Sequence, residues 1–170
     1  MQLTIVQAQP SELEAVLDIL EEGAQWLTAR GIHQWPVGAF RGSLRQLIAD
    51  HLSQGEVYLA KVGGEAIGTL RLQWSDKPTW GEMPDDAGYV HSLAIRRAFA
   101  GKGVGRQLLQ WAENTVAANG RHYLRLDCMA ANSALRRYYE QAGFTHRRDV
   151  EDDGWKASLY EKQVAIENGL

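Results

Sequence analysis

The run Val90 to Gly105, VHSLAIRRAFAGKGVG, carries the densest chemistry in the sequence. An apolar stretch passes into Gly101-Lys102-Gly103-Val104-Gly105, and a helical pattern starts at once. The start of a helix leaves successive backbone N–H groups unpaired. Glycines let a bulky anion come close to them, and the helix dipole adds to the attraction. A phosphate or pyrophosphate is the expected guest, although glycine also serves turns that merely join a strand to a helix. Two other phosphate loops fail on the residues themselves. A Walker A loop needs Ser or Thr after its lysine, and Gly103 follows Lys102. A dinucleotide fingerprint needs a glycine where Arg106 stands.

A second segment, NSALRRYYEQAGF, spans Asn132 to Phe144. Together the two segments resemble the coenzyme-A segments of the GNAT N-acetyltransferases. The first family pattern reads Arg or Gln, two residues, Gly, one residue, then Gly or Ala. Gly103 and Gly105 match its glycines, while Ala100 stands at the Arg/Gln position, a departure. The family's loop binds pyrophosphate largely through backbone amides, so the mechanism survives that loss, and Lys102 can restore some charge. Asn132, Tyr139, Gly143 and Phe144 have the spacing of the second segment. The resemblance implies acetyl-CoA as donor. It implies coenzyme contacts from Leu93, Ala94 and Ile95, from Ala100, Gly101, Lys102, Gly103, Val104, Gly105 and Arg106, and from Asn132 and Tyr139. In the family, the strand before the glycine turn offers free backbone to the pantetheine arm, and Tyr139 falls where the proton donor to the departing thiolate sits. Asn132 also suits a helix N-cap, and Tyr139 also suits a core position.

His91 lies two residues before Leu93. Strand alternation would put both on one face unless a bulge intervenes. The run HSLAIRRAF is similar to the arylalkylamine acetyltransferases, which implies a base role for His91. An ammonium must lose a proton before it attacks, and imidazole titrates near neutral pH. A buried structural histidine fits equally well. Glu82, Asp85 and Asp86 are rival bases, and Asp127 either faces the site or holds the Asn132 loop. Cys128 is the sole cysteine and a conceivable covalent nucleophile, but no positioned histidine pairs with it in the sequence.

The elements needed to hold these residues are legible around them. Leu3 to Ala8 reads as a strand. A helix opens at Pro10-Ser11-Glu12, with Ser11 and Glu14 in the pattern of a capping box. Its stripe is Leu13, Val16, Leu17, Leu20 and Leu27, and Gly31 stops it. A second helix from Ser43 shows Leu44, Leu47, Ile48 and Leu52 on one face, up to Gly55. Val57–Val62 and Ala66–Trp74 read as strands joined by a Gly63-Gly64 hairpin turn. Ser75 to Gly88 reads as an exposed loop. Then follow a strand at Tyr89–Ile95, a helix at Gly103–Asn119 and a strand at Tyr123–Asp127. A helix at Ser133–Ala142 and strands at Phe144–Arg148 and Lys156–Tyr160 complete the pattern. The expected fold is an α/β (α+β) sandwich, a mixed, largely antiparallel sheet flanked by helices, in one GNAT-like domain over residues 1–170.

Length and composition agree with one soluble globular domain. The chain has 170 residues, 45% of them hydrophobic and 23% charged, with a net charge of −3. The basic residues are scattered, so no nucleic-acid partner is expected. A single cysteine excludes an intrachain disulfide and a Cys-rich metal site, and no metal is expected. No signal peptide or run of 18 apolar residues is present, which points to a cytoplasmic protein without membrane association. The expectation is an N-acetyltransferase that moves acetyl from acetyl-CoA to a primary amine of a small molecule, by direct attack in a ternary complex. A peptide or protein amine, or a non-catalytic coenzyme-A sensor, are the alternatives. Trp26, Trp35, Trp74 and Trp80, with His33, are candidate acceptor-side walls or core. A homodimer is compatible with such a chain.

Overall fold

The computed structural model describes residues 1–152 and 154–166. The chain forms two compact units, Met1–Leu72 with Ser92–Leu108, and Gln73–His91 with Leu109–Leu170. The described residues form seven strands: β1 Thr4–Gln7, β2 Val57–Val62, β3 Glu65–Gln73, β4 Ala87–Ile95, β5 Tyr123–Met129, β6 Thr145–Asp152 and β7 Trp155–Gln163. Their order is β1-β2-β3-β4-β5-β7-β6, a mixed and largely antiparallel sheet. The helices are α1 Leu13–Ala29, α2 Arg45–Ser53, α3 Lys77–Trp80, α4 Val104–Ala118 and α5 Ser133–Gln141. Among the described residues, no helix is long and apolar enough to cross a membrane.

In the first unit β1, β2 and β3 form an antiparallel meander. Gly63 and Gly64 both take positive φ, 58° and 83°, as the expected tight hairpin requires. The stripe of α1 buries Val16, Leu17, Leu20 and Ala24 against Ile48 and Leu52 of α2 and Val57 and Leu59 of β2. Leu47, expected on the buried face of α2, is instead 43% exposed, because that short helix buries only Ile48 and Leu52. The helix entry also differs from expectation. A 3₁₀ turn at Pro10–Glu12 precedes α1, and the carboxylate of Glu12, not Glu14, accepts from the Gln9 N–H at 3.0 Å. Proline sets φ for that tighter turn and shifts the cap upstream of Ser11. Buried Glu21 then accepts from the N–H groups of Gly38, Phe40 and Arg41, which fixes the segment between α1 and α2.

In the second unit β4 runs parallel to β5, β5 pairs antiparallel with β7, and β7 with β6. The segment Ser75–Gly88 is not simply an exposed loop. It contains α3, whose Trp80 is 3% exposed and joins Ala87, Tyr89 and Leu159 in a core cluster. Arg125, nearly buried, bonds Glu161 and the Tyr89 hydroxyl at 2.8 and 2.9 Å and lies over the rings of Trp80, Tyr89 and Tyr123. A buried guanidinium needs such partners on its plane and its edge. α5 is tied to β7 because Arg136 donates to the Tyr160 hydroxyl, which in turn donates to Glu140.

Candidate active site

In the first unit the glycine turn is held from behind. Arg96 donates to the Ala66 carbonyl at 2.9 Å and lies 3.4 Å from Glu22, whose other oxygen accepts from the Arg97 N–H. The Arg97 guanidinium stacks 3.9 Å over the Trp26 ring. These contacts deliver the chain into Ala100, then Gly101 and Gly103 at φ 75° and 78°. Positive φ at both positions turns successive N–H groups to one side, a concave arrangement suited to an anion. The first bond of α4 is Gln107 N–H to the Gly103 carbonyl, 3.1 Å. The N–H groups of Val104, Gly105 and Arg106 therefore have no carbonyl a turn back to take them. Gly101, Lys102 and Gly103 are exposed, while Val104 is buried and anchors the helix. No atom lies within 4 Å of where a Cβ would stand on Gly101 or Gly103, so the space above the turn is open.

The strand leading to this turn departs from regular alternation. Ser92 has φ 53°, a non-glycine residue in left-handed backbone, and the side-chain sequence of β4 is interrupted there. His91 and Leu93 therefore do not follow the simple shared-face rule. Ala94 is the buried residue of the trio, and Leu93 and Ile95 are half-buried. The register of β4 with β5 runs Ala87↔Tyr123, Gly88↔Leu124 and Tyr89↔Arg125.

In the second unit, Asn132 is 4% exposed and its side-chain oxygen accepts from the Leu135 N–H at 3.2 Å, so it does cap α5. Tyr139 lies on the buried side of α5, with the rings of Tyr138, Phe144 and Tyr160 5.7, 5.9 and 6.2 Å away, centroid to centroid. Burial pushes its hydroxyl pKa well up, with lesser contributions from Cys128, Tyr138 and Asp127. Tyr139 therefore keeps its proton at any working pH. Cys128 is 1% exposed, and burial first, then Asp127, pushes its thiol up to about 12. A thiol that stays protonated is a poor nucleophile, which argues against covalent catalysis there.

His91 sits beside a residue the sequence had not singled out. Its Nε2 is 3.3 Å from Oδ2 of Asp76, whose side chain is 8% exposed. Asp76 occupies the N-cap position of α3 but makes no capping bond, and its Oδ2 is buried and accepts no hydrogen bond. Asp127 of β5 completes the group: one ligating atom from each of Asp76, His91 and Asp127 lies within 4.8 Å of the others. Two carboxylates and an imidazole make a cation-binding set. The sequence signal for Asp76 was Asp-Lys-Pro, a cap residue ahead of a proline at the start of a short helix. The rival acids stand beside cations, and Asp86 Oδ1 is itself buried without a hydrogen bond. Glu82 is 84% exposed and pairs with Lys77, Asp85 pairs with Arg121, and Asp86 lies 3.6 Å from Arg125. Of the four candidate tryptophans, Trp80 lies in the core, while Trp35 is edge-on to Phe40, Trp74 lies under Arg121 and Trp26 contacts Arg30 and Arg97.

Comparison with known proteins decides the family. Residues 19–144 match the family model described as Acetyltransferase (GNAT) family. The chain belongs to the GNAT acetyltransferase family. This GNAT chain is 31% identical over 162 residues to Uncharacterized N-acetyltransferase YesJ of Bacillus subtilis (strain 168), covering 92% of the chain and 87% of that protein. Solved structures share the fold. A GNAT-family acetyltransferase of Listeria monocytogenes 4b F2365 aligns with TM-score 0.78 at 24% identity, over 95% of each chain. The PaiA N-acetyltransferase of Thermoplasma acidophilum, solved in complex with coenzyme A, aligns with TM-score 0.75 at 18% identity, over 96% of this chain and 99% of that one. The chain is thus an N-acetyltransferase of the GNAT type, with the sheet expected for it.

Proposed function

We propose that this N-acetyltransferase transfers acetyl from acetyl-CoA directly to a small primary amine within a ternary complex. The observation that carries the donor assignment is the glycine turn. Gly101 and Gly103 take positive φ, the space above them is open, and helix N–H groups follow. The Thermoplasma acidophilum relative of the same fold holds coenzyme A. The proposed roles are divided among the backbone and two side chains. N–H groups near Leu93 polarise the thioester carbonyl, His91 takes the proton of the incoming ammonium, and Tyr139 donates to the departing sulfur. Asn132 caps α5 and so sets where Tyr139 stands.

The donor assignment is tested by titrating acetyl-CoA, ATP and NAD into the wild type and Gly103→Val. Acetyl-CoA should bind tightest. The valine adds branched bulk where phosphates come close and must adopt φ 78°, which β-branched residues resist. Acetyl-CoA affinity should therefore fall by about tenfold or more, a loss of roughly 1.4 kcal/mol. Equal affinity in a folded variant would reject this turn as the pyrophosphate site. Preference for ATP or NAD would reject the donor.

A further inference from the structure

From the Asp76–His91–Asp127 cluster we infer that the acceptor is recognised as a primary ammonium, held by both carboxylates and His91 together; this rests on the amine-acetyltransferase reading above. Three atoms within 4.8 Å of one another share a point within about 2.8 Å of all three, the length of a charge-assisted N⁺–H···O⁻ bond. A primary ammonium offers three N–H donors, one for each. The three residues are half-buried and Asp76 Oδ2 is itself buried, so an ammonium held there would be largely removed from water.

Asp76 gives the independent sign of a ligand. Its side chain is more than nine-tenths buried, yet Oδ2 accepts no hydrogen bond and stands at ion-pair distance from His91. A buried carboxylate oxygen left so is costly for the free protein. It also forgoes the capping bond its position on α3 would allow. A donor arriving with the substrate repays that cost at binding. The chemistry then balances. One N–H bond of the ammonium breaks and its proton passes to the His91 imidazole. The freed lone pair forms the N–C bond to the acetyl carbon, and the C–S bond breaks. Tyr139 gives its proton to the thiolate sulfur, and a second proton from the same nitrogen restores the Tyr139 hydroxyl.

The test measures thiol release at saturating acetyl-CoA with a panel of alkyl, aralkyl and polyamine acceptors. The fastest amine is carried into Asp76→Asn and Asp127→Asn. Each change keeps shape and removes one charge. The KM for that amine should rise about 10- to 100-fold, as loss of a charge-assisted bond implies, with the KM for acetyl-CoA unchanged. Thermal stability of Asp76→Asn should equal or exceed the wild type's, since Oδ2 accepts no hydrogen bond and has only the His91 ring 3.3 Å away; a fall in stability with unchanged amine KM would show a structural role and overturn the site. If Asp127→Asn does not fold, Asp76→Asn decides alone. Unchanged amine KM while the wild type remains active overturns the ammonium site and leaves the acetyltransferase standing. Wild type that acetylates no amine contradicts the acetyltransferase reading, and the site falls with it. Activity lost to a chelator and restored by zinc assigns the three groups to a metal ion and overturns the inference.

Discussion

Burial acts on Tyr139 and Cys128 in the same direction: each side chain keeps its proton. For Tyr139 that is useful, because a hydroxyl that never ionises is always ready to donate to a departing thiolate. Tyr139→Phe keeps the ring among Tyr138, Phe144 and Tyr160 and removes only the donor. Turnover should fall by ~10² to 10⁴-fold, the usual contribution of a positioned acid, with acetyl-CoA affinity retained. Single-turnover kinetics check this, and an unchanged chemical rate would assign the proton to another group. For Cys128 the consequence lies in stability. The unfolded thiol titrates at about 8.5, while the folded one is held up to about 12. Above the lower value the unfolded chain releases a proton that the folded chain retains. Stability is therefore full below about pH 8.5 and falls as pH rises toward the folded value, by up to ~1.4 kcal/mol per pH unit. Cys128→Ala removes that slope, so the gap in melting temperature between wild type and variant should narrow from pH 7.5 to about 10. A constant gap across that range would contradict the burial account. At this scale Tyr139, Asn132 and His91 stand out in the sequence, their roles implied by the resemblance; the structure shows the cap made by Asn132 and the burial of Tyr139. Asp76 does not stand out, because nothing in a linear pattern tells that a carboxylate before Lys-Pro turns toward a histidine on a strand.

The elements were read well where period and punctuation agree. The apolar stripe of α1, the glycine hairpin between β2 and β3, and the glycine turn before α4 all stand where their residues placed them. Misreadings fell where local and tertiary preferences compete. The residues around α3 look polar and proline-rich, yet Trp80 needs an apolar partner and pulls the segment into a core cluster. The irregularity at Ser92 was foreseeable only as an option, since positive φ at a serine leaves no mark in the sequence. Gly68 gives a direct test of how closely β3 and the end of β4 approach within the first unit. A Cβ there would meet Ile95 Cδ1 at 2.9 Å, with the Ala94 carbonyl oxygen and Leu108 Cδ1 each at 3.3 Å. Gly68→Ala should cost about 1–3 kcal/mol, the range for overpacking. Adding Ile95→Val, which removes the nearest atom, should recover part of the loss. Denaturant unfolding of the two variants measures both, and wild-type stability in Gly68→Ala would show that the strands yield freely.

At the level of the whole molecule, element types and their order were accessible from sequence, but not the sheet order. The placement of β7 between β5 and β6 depends on pairing between strands distant along the chain, which local pattern does not encode. The family match spans residues 19–144 and so takes in both coenzyme-segment resemblances. The roles proposed for the glycine turn, His91 and Tyr139 all depend on the chain acetylating an amine from acetyl-CoA. The most direct test incubates purified protein with acetyl-CoA and the amine panel, and follows free thiol and N-acetylated product together by mass spectrometry. Thiol and N-acetylamine should appear in equal amounts, only when protein and amine are both present. Thiol release that is independent of amine, or acetyl found on an atom other than the acceptor nitrogen, would contradict it.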